Sequence, residues 1–91
     1  MYSIFATSQF KKDLKKAKRS GLNIAELQIV VDCLAKGEEL DTKYKDHVLT
    51  GNYKGFRECH IRPDWLLIYK IEGNKLLLVL QRTGSHSELF G

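Results

Sequence analysis

The stretch Tyr53–Arg82, YKGFRECHIRPDWLLIYKIEGNKLLLVLQR, decides the fold. It divides into three β-favouring runs, Tyr53–Arg62, Trp65–Ile71 and Lys75–Arg82, separated only by Pro63-Asp64 and Glu72-Gly73-Asn74. Proline cannot donate to a strand ladder, and Gly and Asn tolerate the backbone angles of tight turns, so both junctions read as chain reversals. Connections this short join antiparallel neighbours, and the expected product is a three-stranded meander. The third run, KLLLVLQ, is nearly all apolar, as a central strand covered on both faces would be.

Upstream, Tyr2–Ala6 reads as a short strand. Thr7 or Ser8 can cap the helix that follows, in which Phe10, Leu14 and Ala17 recur at helical spacing, and Gly21 ends it. Asn23 with Glu26 three residues on resembles a capping box and opens a second helix with the apolar stripe Leu27, Val30, Val31 and Leu34. Gly37 stands where a left-handed C-terminal cap is expected. Residues 38–52 show no period and read as a loop carrying Lys45, Asp46 and His47. At the other end Ser85-His86-Ser87-Glu88 forms a second S-x-x-E box, predicting a short terminal helix that begins at His86. The order β-α-α-β-β-β plus that helix predicts one α+β domain over residues 1–91, a helical hairpin packed on one face of an antiparallel sheet.

Composition bounds the rest. A chain of 91 residues, 43% of them apolar, can build one core, although a domain this small buries only roughly 60–65% of its unfolded surface. No apolar run approaches a membrane span, and the N-terminus lacks a basic segment ahead of an apolar one, so no signal peptide is read there. Two cysteines, Cys33 and Cys59, without metal-site spacing point to a reduced, cytoplasmic protein. Fifteen Lys and Arg against eleven Asp and Glu give +4. Six of those cations fall between Lys11 and Arg19, opposed only by Asp13. Such a run can be a plain solvated face; as a polyanion contact it would meet phosphates through residues such as Lys15 and Lys16.

All three histidines lie in the C-terminal half: His47, His60 and His86. Alternation in the first meander strand puts Phe56, Glu58, His60 and Arg62 on one side and Arg57, Cys59 and Ile61 on the other. With helices on one face of the sheet, His60 and Arg62 are expected to look out from the open face, beside the Pro63-Asp64 turn, with Arg82 near them. Cleaving RNA through its own 2′-hydroxyl needs a base, an acid and cations that stabilise the charged transition state. Histidine suits the first two roles and arginine the third. Trp65, Tyr69 and Phe90 offer faces on which splayed bases could stack, while Trp65 and Tyr69 taken alone read as core or rim packing. Cys59 and His60 are strand neighbours that point oppositely, so no metal site is expected, nor any cofactor.

The series H-x-L-x-G-x-x-x-G-x-R-x-x-H-x-x-P-D-W-x-L-I-Y-K from His47 to Lys70, followed by R-T-G-S-H-x-x-L-F from Arg82 to Phe90, resembles the YafQ branch of the RelE/ParE toxin superfamily. The match is dense over about half the chain. The resemblance implies a RelE-like fold and the toxin of a type II toxin–antitoxin pair. Such a toxin is a metal-independent endoribonuclease that enters the 70S ribosome and cuts mRNA in the A site, and an acidic antitoxin holds it inactive. It further implies a site of His47, His60, Asp64, Arg82 and His86, supported by Trp65 and Phe90. In that site His86 is the general acid, Asp64 or His60 the base, Arg82 the phosphate stabiliser, and His47 a group that positions or neutralises the phosphate. Two alternatives remain at this level: a non-catalytic RNA- or ribosome-binding module, and a gyrase-directed toxin of the same fold.

Overall fold

Five strands form one sheet in the order β1-β5-β4-β3-β2, with β1 Ser3–Ala6, β2 His47–Val48, β3 Arg57–Arg62, β4 Trp65–Glu72 and β5 Leu77–Gly84. The computed structural model covers residues 1–91. β3, β4 and β5 make the expected antiparallel meander, whereas β1 adds to β5 in parallel, so the sheet is mixed. β2, inside the expected loop, pairs His47 with Glu58 and Val48 with Arg57. β3 starts at Arg57 rather than Tyr53, because Gly51–Tyr53 coils into a 3-10 turn and Gly55 takes φ +92°.

α1 (Ser8–Arg19) and α2 (Ile24–Ala35) pack as a hairpin on one face. Thr7 caps α1, its hydroxyl accepting from the Phe10 N–H at 3.0 Å and donating to the Gln81 carbonyl at 2.9 Å. That second bond matters because β1 ends opposite Leu80 and leaves the last residues of β5, paired with β4 on one side, without a partner strand on the other. Asp13 completes the edge by accepting from the Thr83 N–H at 3.2 Å. At the start of α2, Asn23 accepts from the Ala25 N–H at 3.1 Å, but Glu26 turns away to Arg62, so the expected reciprocal box is only half made.

The main core holds fourteen buried residues, among them Phe10, Val30, Leu34, Leu67, Tyr69 and Leu78, all between the helices and the sheet. The opposite face is not open as expected. Leu66, Ile68 and Leu89 form a second small core there, covered by Leu49, Tyr53, Phe56 and the terminal helix α3 (His86–Phe90). The S-x-x-E box of α3 is complete: the Ser85 hydroxyl accepts from the Glu88 N–H, and the Glu88 carboxylate accepts from the Ser85 N–H at 2.8 Å. No helix is long and apolar enough to cross a membrane.

A candidate active site of three imidazoles

His47, His60 and His86 stand in a row at the margin where the second core ends. Ring centroids are 6.3 Å apart from His47 to His60 and 5.7 Å from His60 to His86. Each ring is brought there by a different device. β3 carries His60 opposite Leu66 in the sheet. His47 is delivered by β2, whose approach is pinned by Asp46: one carboxylate oxygen accepts from Arg57 Nε at 3.1 Å and the other from the Tyr69 hydroxyl at 2.7 Å. His86 opens α3, and its backbone N–H and ring Nδ1 both meet Asp64 Oδ1, at 3.0 and 3.1 Å.

Each ring also has its Nδ1 against a fixed oxygen. His47 Nδ1 lies 2.8 Å from the Lys45 carbonyl, which reaches it because Lys45 adopts a left-handed backbone, φ +51°. His60 Nδ1 lies 3.2 Å from the Pro63 carbonyl. A carbonyl or carboxylate oxygen can only accept, so each of these contacts is a hydrogen bond when Nδ1 carries the proton, which leaves the ring's Nε2 for other partners. Hydrogen bonds from the His86 backbone and ring hold the Asp64 carboxyl below its ordinary range, so it stands ionised against the imidazole it orients.

Beneath the row lies Glu58, whose side chain is only 5% exposed. One of its oxygens sits 3.5 Å from His47 Nε2 and 3.4 Å from His60 Nε2. Strand alternation places Glu58 on the His60 face but assigns it no role; an acidic residue in a strand close to a candidate histidine is the signal that could have found it. Glu58, His60 and His86 each offer one donor atom, and the three atoms lie within 4.8 Å of one another. One carboxylate and two imidazoles suit a divalent transition ion, a set that the spacing of Cys59 and His60 does not disclose. Cys59 faces the main core, where burial pushes its thiol up to about 12.

Other expected residues fall differently. Trp65 is 2% exposed, lies in the main core and donates from Nε1 to the Thr83 hydroxyl at 3.0 Å, so it cannot stack on a base. Tyr69 is as deeply buried. Phe90 is exposed, with its ring 6.2 Å from His86 and edge-on to Tyr53. Arg82 is not free: Asp13 takes its Nε at 2.9 Å and its Nη2 at 3.0 Å. Asp13 heads the causes that hold the guanidinium firmly cationic, and the Tyr53 phenol adds to them. Arg62 leaves the His60 face, because the register slips by one after His60 and turns it toward Glu26 on α2. Lys16 pairs with Glu88 of α3, while Lys12, Lys15, Lys18 and Arg19 line an outward basic groove.

A family model described as "Bacterial toxin of type II toxin-antitoxin system, YafQ" matches residues 2–91. The mRNA interferase toxin YafQ of Escherichia coli K12 is 40% identical over 86 residues, which are 93% of this chain and 91% of that protein. A metal-bound toxin from Helicobacter pylori superposes with a TM-score of 0.93 at 48% identity, covering 99% of this chain and 100% of that one. The toxin–antitoxin complex DinJ-YafQ of E. coli gives 0.89 at 40% identity, covering 99% of this chain and 98% of that one.

Proposed function

This chain belongs to the YafQ family of type II toxins, and we propose that it is a metal-independent endoribonuclease that cuts mRNA in the ribosomal A site. One observation carries the chemistry: His60 and His86 are locked by oxygens at Nδ1 and converge on one point beside Glu58. A scissile phosphate at that point would lie between a base and an acid. His60 takes the 2′-hydroxyl proton on Nε2, and the Glu58 carboxylate stabilises the imidazolium that forms. His86 acts as the acid in its imidazolium form, with Nδ1–H donating to Asp64 and the Nε2 proton passing to the departing 5′ oxygen. His47 adds positive charge to the phosphate, and Arg82 does so with the part of its guanidinium that Asp13 leaves free.

An ion on Glu58, His60 and His86 would occupy the nitrogens that move protons. A chelator should therefore leave the rate unchanged, and added Cu(II) or Zn(II) should lower it. The unpaired stripe Lys12, Lys15, Lys18 and Arg19 is suited to rRNA, and an acidic antitoxin, the counterpart of the E. coli partner, fits the net charge of +4. Lys15→Glu should weaken ribosome binding and flatten its salt dependence, the slope falling by about one for each phosphate that is no longer neutralised.

The test is primer-extension mapping of a defined mRNA on programmed ribosomes, with the wild-type chain and with His86→Ala. Cuts inside A-site codons that vanish with the variant support the assignment. Cuts that persist move the acid elsewhere. Ribosome binding without any cut leaves a binding module and sinks the nuclease reading.

A further inference from the structure

A groove of about 600 Å³ starts at His60 and runs away from the imidazole row, between β3 and the N-terminal half of α2. Its floor and walls include Ile29, Tyr44, Ile61 and Pro63, and Lys43 and Lys45 stand at its rim. That volume falls within the range of small-ligand sites, about 300–1,000 Å³. Two features mark it as more than a crease. Ile29 is 62% exposed on a helix whose other large aliphatics face the core, so an apolar side chain is presented to the groove without a partner. Lys43 and Lys45 belong to none of the ion pairs of the molecule, and Lys43 lies over the Tyr44 ring with Nζ 5.2 Å from its centroid.

We propose that this groove is a subsite for one nucleotide of the RNA, the one adjoining the scissile phosphate on the side away from Phe90. The inference rests on the nuclease reading above. The base lies against Ile29 and the edge of Tyr44, and its phosphate is met by Lys43 and Lys45. Base stacking on aromatic and apolar surface with cations at the backbone is the usual way a single strand is gripped. Continuity argues for RNA as the occupant: the groove ends on the imidazole that acts on the substrate, so a nucleotide seated in it points its phosphate at the site. The cleft on the other side of the Pro63-Asp64 turn is less suited. Three carboxylates, Asp13, Asp64 and Glu88, line it against the single Glu26 of the groove, and although Lys12 and Arg19 are unpaired there, its Lys16 and Arg82 are already held by two of those carboxylates. Arg62 and Glu26 close the groove wall as an ion pair, a combination that can read the donor and acceptor edge of a base.

Ile29→Glu places a carboxylate in the groove at an exposed helix position where folding is little disturbed. Single-turnover cleavage is measured on ribosomes programmed with a panel of A-site codons, alongside ribosome binding by sedimentation. The expected result is at least a tenfold fall in cleavage with binding retained. Tyr44→Leu should change the ranking among codons, with circular dichroism confirming the fold. Wild-type rates and ranking in both variants would overturn the subsite while leaving the nuclease assignment standing. So would a variant that loses ribosome binding instead of cleavage, or one that cleaves normally but escapes the antitoxin, since the groove would then belong to rRNA or to the antitoxin. A wild-type chain that cuts nothing would remove the assignment itself, and the subsite with it.

Discussion

The two faces of the sheet are built to different standards. Against the helices lies a core of fourteen buried residues, drawn from both long helices and from β3, β4 and β5. Against the other face lie three, Leu66, Ile68 and Leu89, covered by an irregular loop and a helix of five residues. All three histidines and Asp64, together with the acid beneath them, sit on the margin of the thinner side. The main core and the proposed chemistry are thus separated across a single sheet, and the polar cluster needs no cavity in the main core.

That separation can be broken most plainly at His60. Its replacement by alanine should cost about 10²–10⁴ in single-turnover rate, the usual worth of a general base, while the thermal midpoint stays close to wild type. A midpoint that falls along with the rate would show that the thin face carries stability too. Leu67→Ala tests the other side, with an expected loss of about 2–5 kcal/mol in chemical denaturation, as for a buried leucine that leaves a cavity. Leu89→Ala should cost less than Leu67→Ala, because loop and helix around it can collapse into the space.

Smaller effects sharpen the picture. Glu58→Gln keeps the shape but removes the charge beneath His47 and His60, and should lower the rate about tenfold or more with KM little changed. The smallest effect is expected at Glu88. Hydrogen bonds from Lys16, and then from the Ser85 N–H, hold its carboxyl down to about 2. A carboxyl depressed in the folded state stabilises it above the ordinary range and loses that contribution as pH falls through the folded value. The α3 resonances of the folded protein should therefore titrate with a midpoint at about pH 2. The pair is largely solvated and contributes no more than about 1 kcal/mol. Lys16→Ala should move that transition upward, and an unchanged midpoint would mean that the capping box alone holds Glu88.

Much of the architecture was legible because it is local. The meander is written in Pro63-Asp64 and Glu72-Gly73-Asn74, the helices in their caps and apolar stripes, and α3 in its S-x-x-E box. What escaped depends on contacts distant in sequence. Asp13 and Arg82 meet across 69 residues, so a lone acid in a basic run gave no hint that it would hold the expected phosphate ligand. The burial of Trp65 follows from a partner, Thr83, on another strand. The slip after His60, which sends Arg62 to the helix side, breaks the alternation from which its outward face was read. The residue types alone singled out the three histidines, and the resemblance proposed their roles; only the assembled sheet shows that Glu58 lies under two of them.

The attachment of α3 has a consequence for how the protein fails. The helix is held by one buried leucine, one capping box, Asp64 and the contact with Lys16. Hydrogen exchange in such a segment proceeds by local opening, at a small fraction of the global unfolding free energy. Each such opening carries His86 off the row while the main core stays intact. The ensemble in which the three imidazoles stand together is therefore narrower than the folded one, and under the proposed mechanism a mutation, pH change or ligand that loosens this single turn would silence the site in a molecule that still melts as a native protein.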